Sequence, residues 1–377
     1  MNKHLYFIIA LLPFLISCID RHAKYDARMI ASINRSEAEH YKIDTIVIPL
    51  DSVSKPYYFA KIAILETDSD LFYLAYNSQI NAIDWFDLKS KVIKHTQIER
   101  VGPNGIPEIT SIYPISKDSI FIFSYKALYL INSKGYILRK IDSSIKNKDG
   151  RKGFLMSNAS VGAYFDKSKN EMYCGVNYID FKNNETQPQA VRYNITDSTF
   201  HFLPVYYTEK YNQYYNQLGY TNIFSLQFYD NQLIYNFNYS PAFYIYDYRT
   251  KEVTIVNSKN SKADKMFEML GQKASDEEKM AYYVSNPLFN LPLKCTNNQC
   301  YYRLNWTGAA FSSGIESKKI VLSRYSYDLS SFSEIFLNNK TYFIGSERVA
   351  KKGVIVIAQN KFTPNIDYEK IIFHIIR

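Results

Sequence analysis

The chain has 377 residues, 46% of them hydrophobic, with 35 Tyr, 24 Phe and 2 Trp, a composition that excludes disorder and allows a large buried core. Only 13 residues are Gly, which argues against Gly-rich phosphate loops and collagen-like tracts. The 45 Lys and Arg outnumber 36 Asp and Glu, but the signs interleave with no long basic run, so a solvated surface explains them and no nucleic-acid partner is expected.

The N-terminus reads as a targeting segment over residues 1–17: Lys3 is the charged start and Leu5 to Ile16 an apolar run too short for the roughly 20 residues of a membrane span. Leu15-Ile16-Ser17-Cys18 resembles a bacterial lipobox, in which a small residue lets the peptidase reach the bond before the cysteine. Cys18 is then the lipidated first residue, and its several acyl chains hold the protein to the membrane without a protein helix. Residues 18–40 are polar and weakly periodic, as suits a tether. No cofactor is implied, and the membrane enters only through the lipid.

From Tyr41 to residue 377 the texture is that of one all-β domain. Short runs rich in Ile, Val, Phe and Tyr alternate with turns of Asp, Asn, Ser and Lys. An apolar strand ending in Asp or Asn, a polar turn and a second strand recur around Asp87, Asn132, Asn194, Asp247 and Asp328. Asp and Asn suit such corners because their side chains accept hydrogen bonds from the backbone two residues on. The shortest spacing is about 45 residues, the length of a four-stranded propeller blade, and the longer spacings carry insertions. A last unit over 341–377 lacks one strand, and the run 41–50 precedes the first unit alone. Together they complete a six-bladed β-propeller closed by an N-terminal strand, which leaves no open end in the ring.

Two segments do not fit four-strand units. Residues 204–222 form a Tyr-rich excursion, and 258–294 an insertion in which Ser261 with Asp264 and Ser275 with Glu278 have capping-box spacing. Two helices are predicted there, over about 262–270 and 276–284.

The stretch Glu99-Arg100-Val101-Gly102-Pro103-Asn104-Gly105-Ile106-Pro107, with the strands after it, resembles one blade of the TolB-like and NHL-like six-bladed propellers. It looks most like a family of exported Bacteroidetes lipoproteins of unknown function carrying an E-x-x-GPNG turn. The resemblance implies a six-bladed ring in the cell envelope, on the outer membrane or in the periplasm, and no known reaction. Read on its own residues, the turn has glycines free to adopt positive φ and a proline that fixes φ. It is either a purely structural crossover or one that brings Arg100 and Asn104 to a ligand at the channel mouth.

Little chemistry is written locally. His95, His201 and His374 form no HxH or HxxxH pair, so spacing gives no metal site, and no GxSxG elbow occurs. The loop 166–171 reads as a hairpin turn, since it lacks the central Gly of a calcium loop. Cys295 and Cys300 enclose a four-residue turn and either face each other as a disulfide or stay as thiols; Cys174 reads as a small buried hydrophobe. Tyr211, Tyr214, Tyr215 and Tyr220, among amides, serve either as recognition rings or to pack the excursion onto the disc. The expected function is a membrane-anchored, non-catalytic propeller that binds an envelope protein or a glycan at one face. The rival is a periplasmic lactonase- or lyase-type enzyme whose metal is held by residues from several blades.

Overall fold

Every corner anticipated from sequence is built by the same local device. Asp87 Oδ1 accepts from Lys89 N at 2.9 Å and Ser90 N at 3.1 Å, and Lys91 then takes a positive φ of 60°. Asn194 and Asp247 repeat the pattern, with Ser198 and Lys251 at φ 61°. Asp328 accepts from Ser330 N at 3.1 Å. At Asn132 the left-handed position falls to Gly135, φ 85°, where a Cβ would stand 1.9 Å from the Gln97 carbonyl oxygen.

The computed structural model describes residues 27–35, 41–58, 61–125, 127–179, 187–207, 224–258, 270, 274–314, 317–342, 344–359 and 366–377. Between these corners the strands form six antiparallel blades. The first holds Ile62–Glu66, Leu71–Asn77, Ala82–Asp87 and Ile93–Gln97, and the second runs from Ser111–Ser116 to Ile137–Asp142. The third, from Ser144–Lys146 to Phe200–Leu203, has six strands. The fourth runs from Phe224–Phe228 to Val253–Ser258 and the fifth from Leu288–Phe289 to Ser331–Leu337. In the sixth, Arg348–Ala350, Gly353–Ile357 and Lys370–Ile376 are completed by Ile43–Pro49, which pairs antiparallel with Lys370–Ile376 from Ile43↔Ile376 to Pro49↔Lys370. The ring closes as anticipated.

Apolar clusters fill the six blade junctions, which accounts for the aromatic excess. Tyr73 and Phe86 of the first blade meet Phe373 of the sixth at 4.9 and 5.6 Å. Phe243 of the fourth meets Tyr325 of the fifth edge-on at 5.3 Å. Within each blade the first and third turns lie together, as Leu88 N donating to Leu71 O shows. The second turn lies with the crossover to the next blade, as Ile98 N donating to Asn81 O shows. The ring therefore has a turn face and a crossover face.

Three readings need correction or completion. Part of the stretch read as a tether is a strand: Ala27–Arg35 pairs in parallel with Val253–Ser258 and then, at Asn34 and Arg35, with Ser331–Leu337. It covers the unpaired outer edges of two neighbouring blades, edges that would otherwise invite pairing with another chain. The end of the segment read as an insertion belongs to the fifth blade, whose innermost strand is split into Leu288–Phe289 and Leu293–Cys295 around Pro292, which has no N–H for the ladder. The second helix is present as Asp276–Ser285 with its capping box, Glu278 N donating to Ser275 Oγ at 3.2 Å and Ser275 N to Glu278 Oε2 at 2.6 Å. The first, over 262–269, falls outside the described residues. No helix among the described residues is long and apolar enough to cross a membrane.

After the closing strand, residues 51–58 are latched onto the first blade by a network that local sequence patterns do not show. His95 bonds Asp51 through Nε2 and Asp84 through Nδ1, both at 2.8 Å. Buried Asp84 also accepts from the Tyr58 hydroxyl and from Asn77 Nδ2. Burial lowers His95, but bonds to Asp51 and Asp84 outweigh it and hold the imidazole above its ordinary value. Burial likewise raises Asp51, yet His95 and Ser54 bring it down to about 2. For Asp84 burial wins over Tyr58, His95 and Asn77 and raises the carboxyl.

The share from His95 is thus complete below about pH 6.5 and fades as pH rises through its raised value. That from Asp84 also declines as pH rises. Asp51 contributes fully above about pH 4 and loses its share as pH falls through about 2. The latch is strongest on the acid side of neutrality. In melting curves between about pH 6 and 9, wild type is expected to lose stability more steeply than His95→Ala; parallel slopes would rule the latch out as the source.

Candidate functional site: the central channel

The innermost strands of the blades surround a cavity of about 480 Å³. Its polar lining is mostly neutral: Ser111, Asn158, Ser225, Gln227, Asn238 and Asn290. Aromatic walls come from Tyr113, Tyr229, Tyr283 and Trp306, and the charged pair is Glu347 and Arg348. Asn238, Tyr283 and Trp306 lie on the crossover face or at second turns, and Tyr229 lies at a first turn, so the lining runs between the two faces.

Several of the polar groups are positioned by their neighbours in the ring. Glu347, 9% exposed, accepts from Asn290 Nδ2 at 2.8 Å and from Gly345 N, tying the sixth blade to the fifth. Arg348 donates through Nε to Ile62 O at 2.9 Å and through Nη1 to Glu347 O at 2.6 Å, tying the sixth to the first. Ser157 Oγ reaches Ser111 Oγ at 3.0 Å. Tyr229 and Tyr113 accept from the backbone N–H groups of Lys294 and Phe165, and burial raises both phenols, Tyr113 to about 12, so they stay neutral.

One wall is backed by a buried amine. Lys318, 2% exposed, donates to Asn286 O at 2.8 Å, at the C-terminus of the helix, and lies 5.1 Å from the Tyr283 ring centre and 5.7 Å from that of Trp306. Burial draws its ammonium down to about 7. The Trp306 indole N–H is buried without a hydrogen-bond partner; a donor left so is costly unless something accepts from it.

Of the residues singled out from sequence, Arg100 and Asn104 are committed to the turn and do not line the cavity. Arg100 Nη2 donates to Ser78 O at 2.8 Å. Asn104 Oδ1 accepts from Ile137 N at 2.7 Å. Gly102 at φ 91° and the bond from Gly105 N to Gly102 O close the loop. Cys18, Tyr211, Tyr214, Tyr215 and Tyr220 lie outside the described residues. At the edge of that excursion Tyr207 packs on Phe224 and Phe237 at 5.2 and 5.5 Å. Cys174 is buried in the third blade, and Cys295 and Cys300 stand opposite each other across their hairpin. Among the described residues no group of three or more His, Cys, Asp or Glu is placed to hold a metal ion.

Comparison with known proteins agrees with the ring. Residues 32–335 match the family profile of a domain of unknown function, DUF4221. The crystal structure of a DUF4221 member from Bacteroides vulgatus superposes with TM-score 0.74 at 18% identity, covering 89% of this chain and 98% of that one. A protein of Bacteroides fragilis described as exported superposes with TM-score 0.54 at 9% identity, covering 93% of this chain and 100% of that one. At these identities the likeness is one of fold. No curated protein matches.

Proposed function

The chain belongs to the DUF4221 family, whose function is unknown, and we propose that it is an exported, lipid-anchored propeller that binds a neutral glycan in the mouth of its channel without transforming it. The observation that carries this reading is the lining itself. Amides and hydroxyls from several blades line it together with the aromatic rings of Tyr113, Tyr283 and Trp306. Sugars present hydroxyls to the former and C–H faces to the latter. A glycosidase of the usual type needs two carboxylates; the described lining offers Glu347, already bonded to Asn290.

Lipid anchoring rests on Leu15-Ile16-Ser17-Cys18 and is consistent with the exported Bacteroides fragilis relative. Ala27, nine positions after Cys18, pairs with Val253, beside a turn that packs on the first turn of its blade through Tyr248 N and Asn231 O. An anchor entering at that rim, on the turn face, leaves the crossover face uncovered. A protein partner is the second reading, favoured by exposed Val101, Tyr136 and Leu138 in and beyond the GPNG turn.

The test uses Cys18→Ala, which should move the protein from the membrane fraction to the soluble one, titrated calorimetrically with neutral oligosaccharides. Trp306→Ala removes the aromatic wall and should cost at least ~2 kcal/mol of affinity, whereas Trp306→Phe, which keeps a smaller ring, should cost less. Absence of binding to every saccharide, or equal affinity in both variants, would overturn the glycan reading. A Cys18→Ala protein that stays with membranes would overturn the anchor.

A further inference from the structure

Cys295 ends the inner strand of the fifth blade and Cys300 begins the next one; the hairpin makes them direct antiparallel partners. Such partners have Cα atoms about 4.5–5.5 Å apart, inside the 4.4–6.8 Å window of disulfides. Both are buried, at 0% and 2% exposure. The third described cysteine, Cys174, lies in another blade, so among the described cysteines these two have only each other.

We propose that Cys295 and Cys300 form a cross-strand disulfide in the exported protein, which stitches the interrupted inner strand of the fifth blade to its neighbour. The inference rests on the exported location for its oxidant and on the register for its geometry. As thiols, the pair gives the hairpin a bond from Cys295 Sγ to Lys351 O at 3.1 Å. Oxidation removes that donor at little cost, because Lys351 O also accepts from Asn297 N at 3.2 Å, and Asn298 Nδ2 to Lys352 O at 2.9 Å still clamps the turn to the sixth blade. The thiols are shielded once the ring is closed, so the bridge forms on the hairpin before the blades pack.

The chemistry is thiol–disulfide exchange with an external disulfide. The thiolate of one cysteine attacks it and expels one thiolate. The second cysteine then attacks the mixed disulfide and expels the other. The protein loses two electrons and two protons, and the oxidant leaves as two thiols. A six-residue local loop makes the two ends meet readily.

The experiment is peptide mapping of the full-length protein taken from the cell envelope, acid-quenched and alkylated under denaturing conditions before reduction. The expected result is a peptide joining 295 and 300 that is unalkylated until reductant is added, with Cys174 alkylated from the start. Reductant should also lower the melting temperature of wild type and leave that of the Cys295→Ser/Cys300→Ser double variant unchanged. Immediate alkylation of both cysteines in envelope-derived protein would overturn the proposal. If fractionation finds the protein in the cytoplasm instead, it is the exported location that fails. The pair is then refolded with oxidised and reduced glutathione, where closure upholds the geometric inference and persistent free thiols sink it.

Discussion

Deletion of residues 41–50 should abolish cooperative folding of the whole ring. Those residues supply the outer strand of the last blade, Ile43–Pro49, whose register with Lys370–Ile376 runs unbroken from end to end. The pairing continues beyond the strand: Lys42 and Arg377 exchange backbone bonds at 3.2 and 3.0 Å, and Asp44 pairs with the Arg377 guanidinium. Ile48 is fully buried in the junction between the sixth and first blades with Ile371 and Phe373, and losing a buried Ile costs about 2–5 kcal/mol by itself. With the ladder lost and an edge exposed to other chains, the total approaches the 5–15 kcal/mol that holds a typical domain together. Circular dichroism and thermal melting should show a broadened or absent transition and aggregation. A melting curve like that of wild type would contradict closure by this strand.

The same strand shows why the architecture was legible from sequence and the site was not. Strand counting reveals a blade with a missing member and an orphan run that fits it. The corners at Asp87, Asn194 and Asp247 are local devices, completed within a few residues of the side chain that builds them, and the Ser275 cap is equally local. Ala27–Arg35 failed this test because both its partners lie more than 200 residues away, and nothing in its polar texture announces an edge to cover.

The channel failed for the same reason. Ser111, Gln227, Asn290 and Glu347 come from separate blades and converge only after the ring has closed. His95 looks like an isolated strand histidine until Asp51 arrives from the closing segment. The GPNG turn had the opposite fate: its motif is visible, yet Asn104 spends its amide on Ile137 N and Gly135 O. Conspicuous sequence there marks a demanding backbone conformation, and the channel-lining groups are ordinary residues in unremarkable strands.

Arg303 carries the other large effect. It is 0% exposed and sits in the second strand of the fifth blade, where its guanidinium donates to three backbone carbonyls: Asn290 at 2.7 Å, Ser240 at 3.3 Å and Pro241. The rings of Phe289 and Phe243 lie 5.0 and 5.5 Å from its central carbon. Its five-donor planar fork satisfies a broken strand and a turn of the neighbouring blade at once, which a lysine ammonium cannot span. Hydrogen bonds from a charged group are worth about 1.5–3 kcal/mol each, and the carbonyls left behind would be buried unsatisfied. Arg303→Met, which keeps most of the volume, should therefore cost about 4 kcal/mol, and Arg303→Ala more because it adds a cavity.

Asn290 links this pin to the channel, since its carbonyl is held by Arg303 while its side-chain amide holds Glu347. The Met variant should thus lose ligand affinity as well as stability, whereas Arg303→Lys should recover only part of either. Urea unfolding followed alongside ligand titration reads both quantities on the same samples. A Met variant with an unchanged midpoint would show that the three carbonyls find other donors and that the pin is dispensable. One that is destabilised yet binds normally would show that Asn290 is positioned by the blade alone.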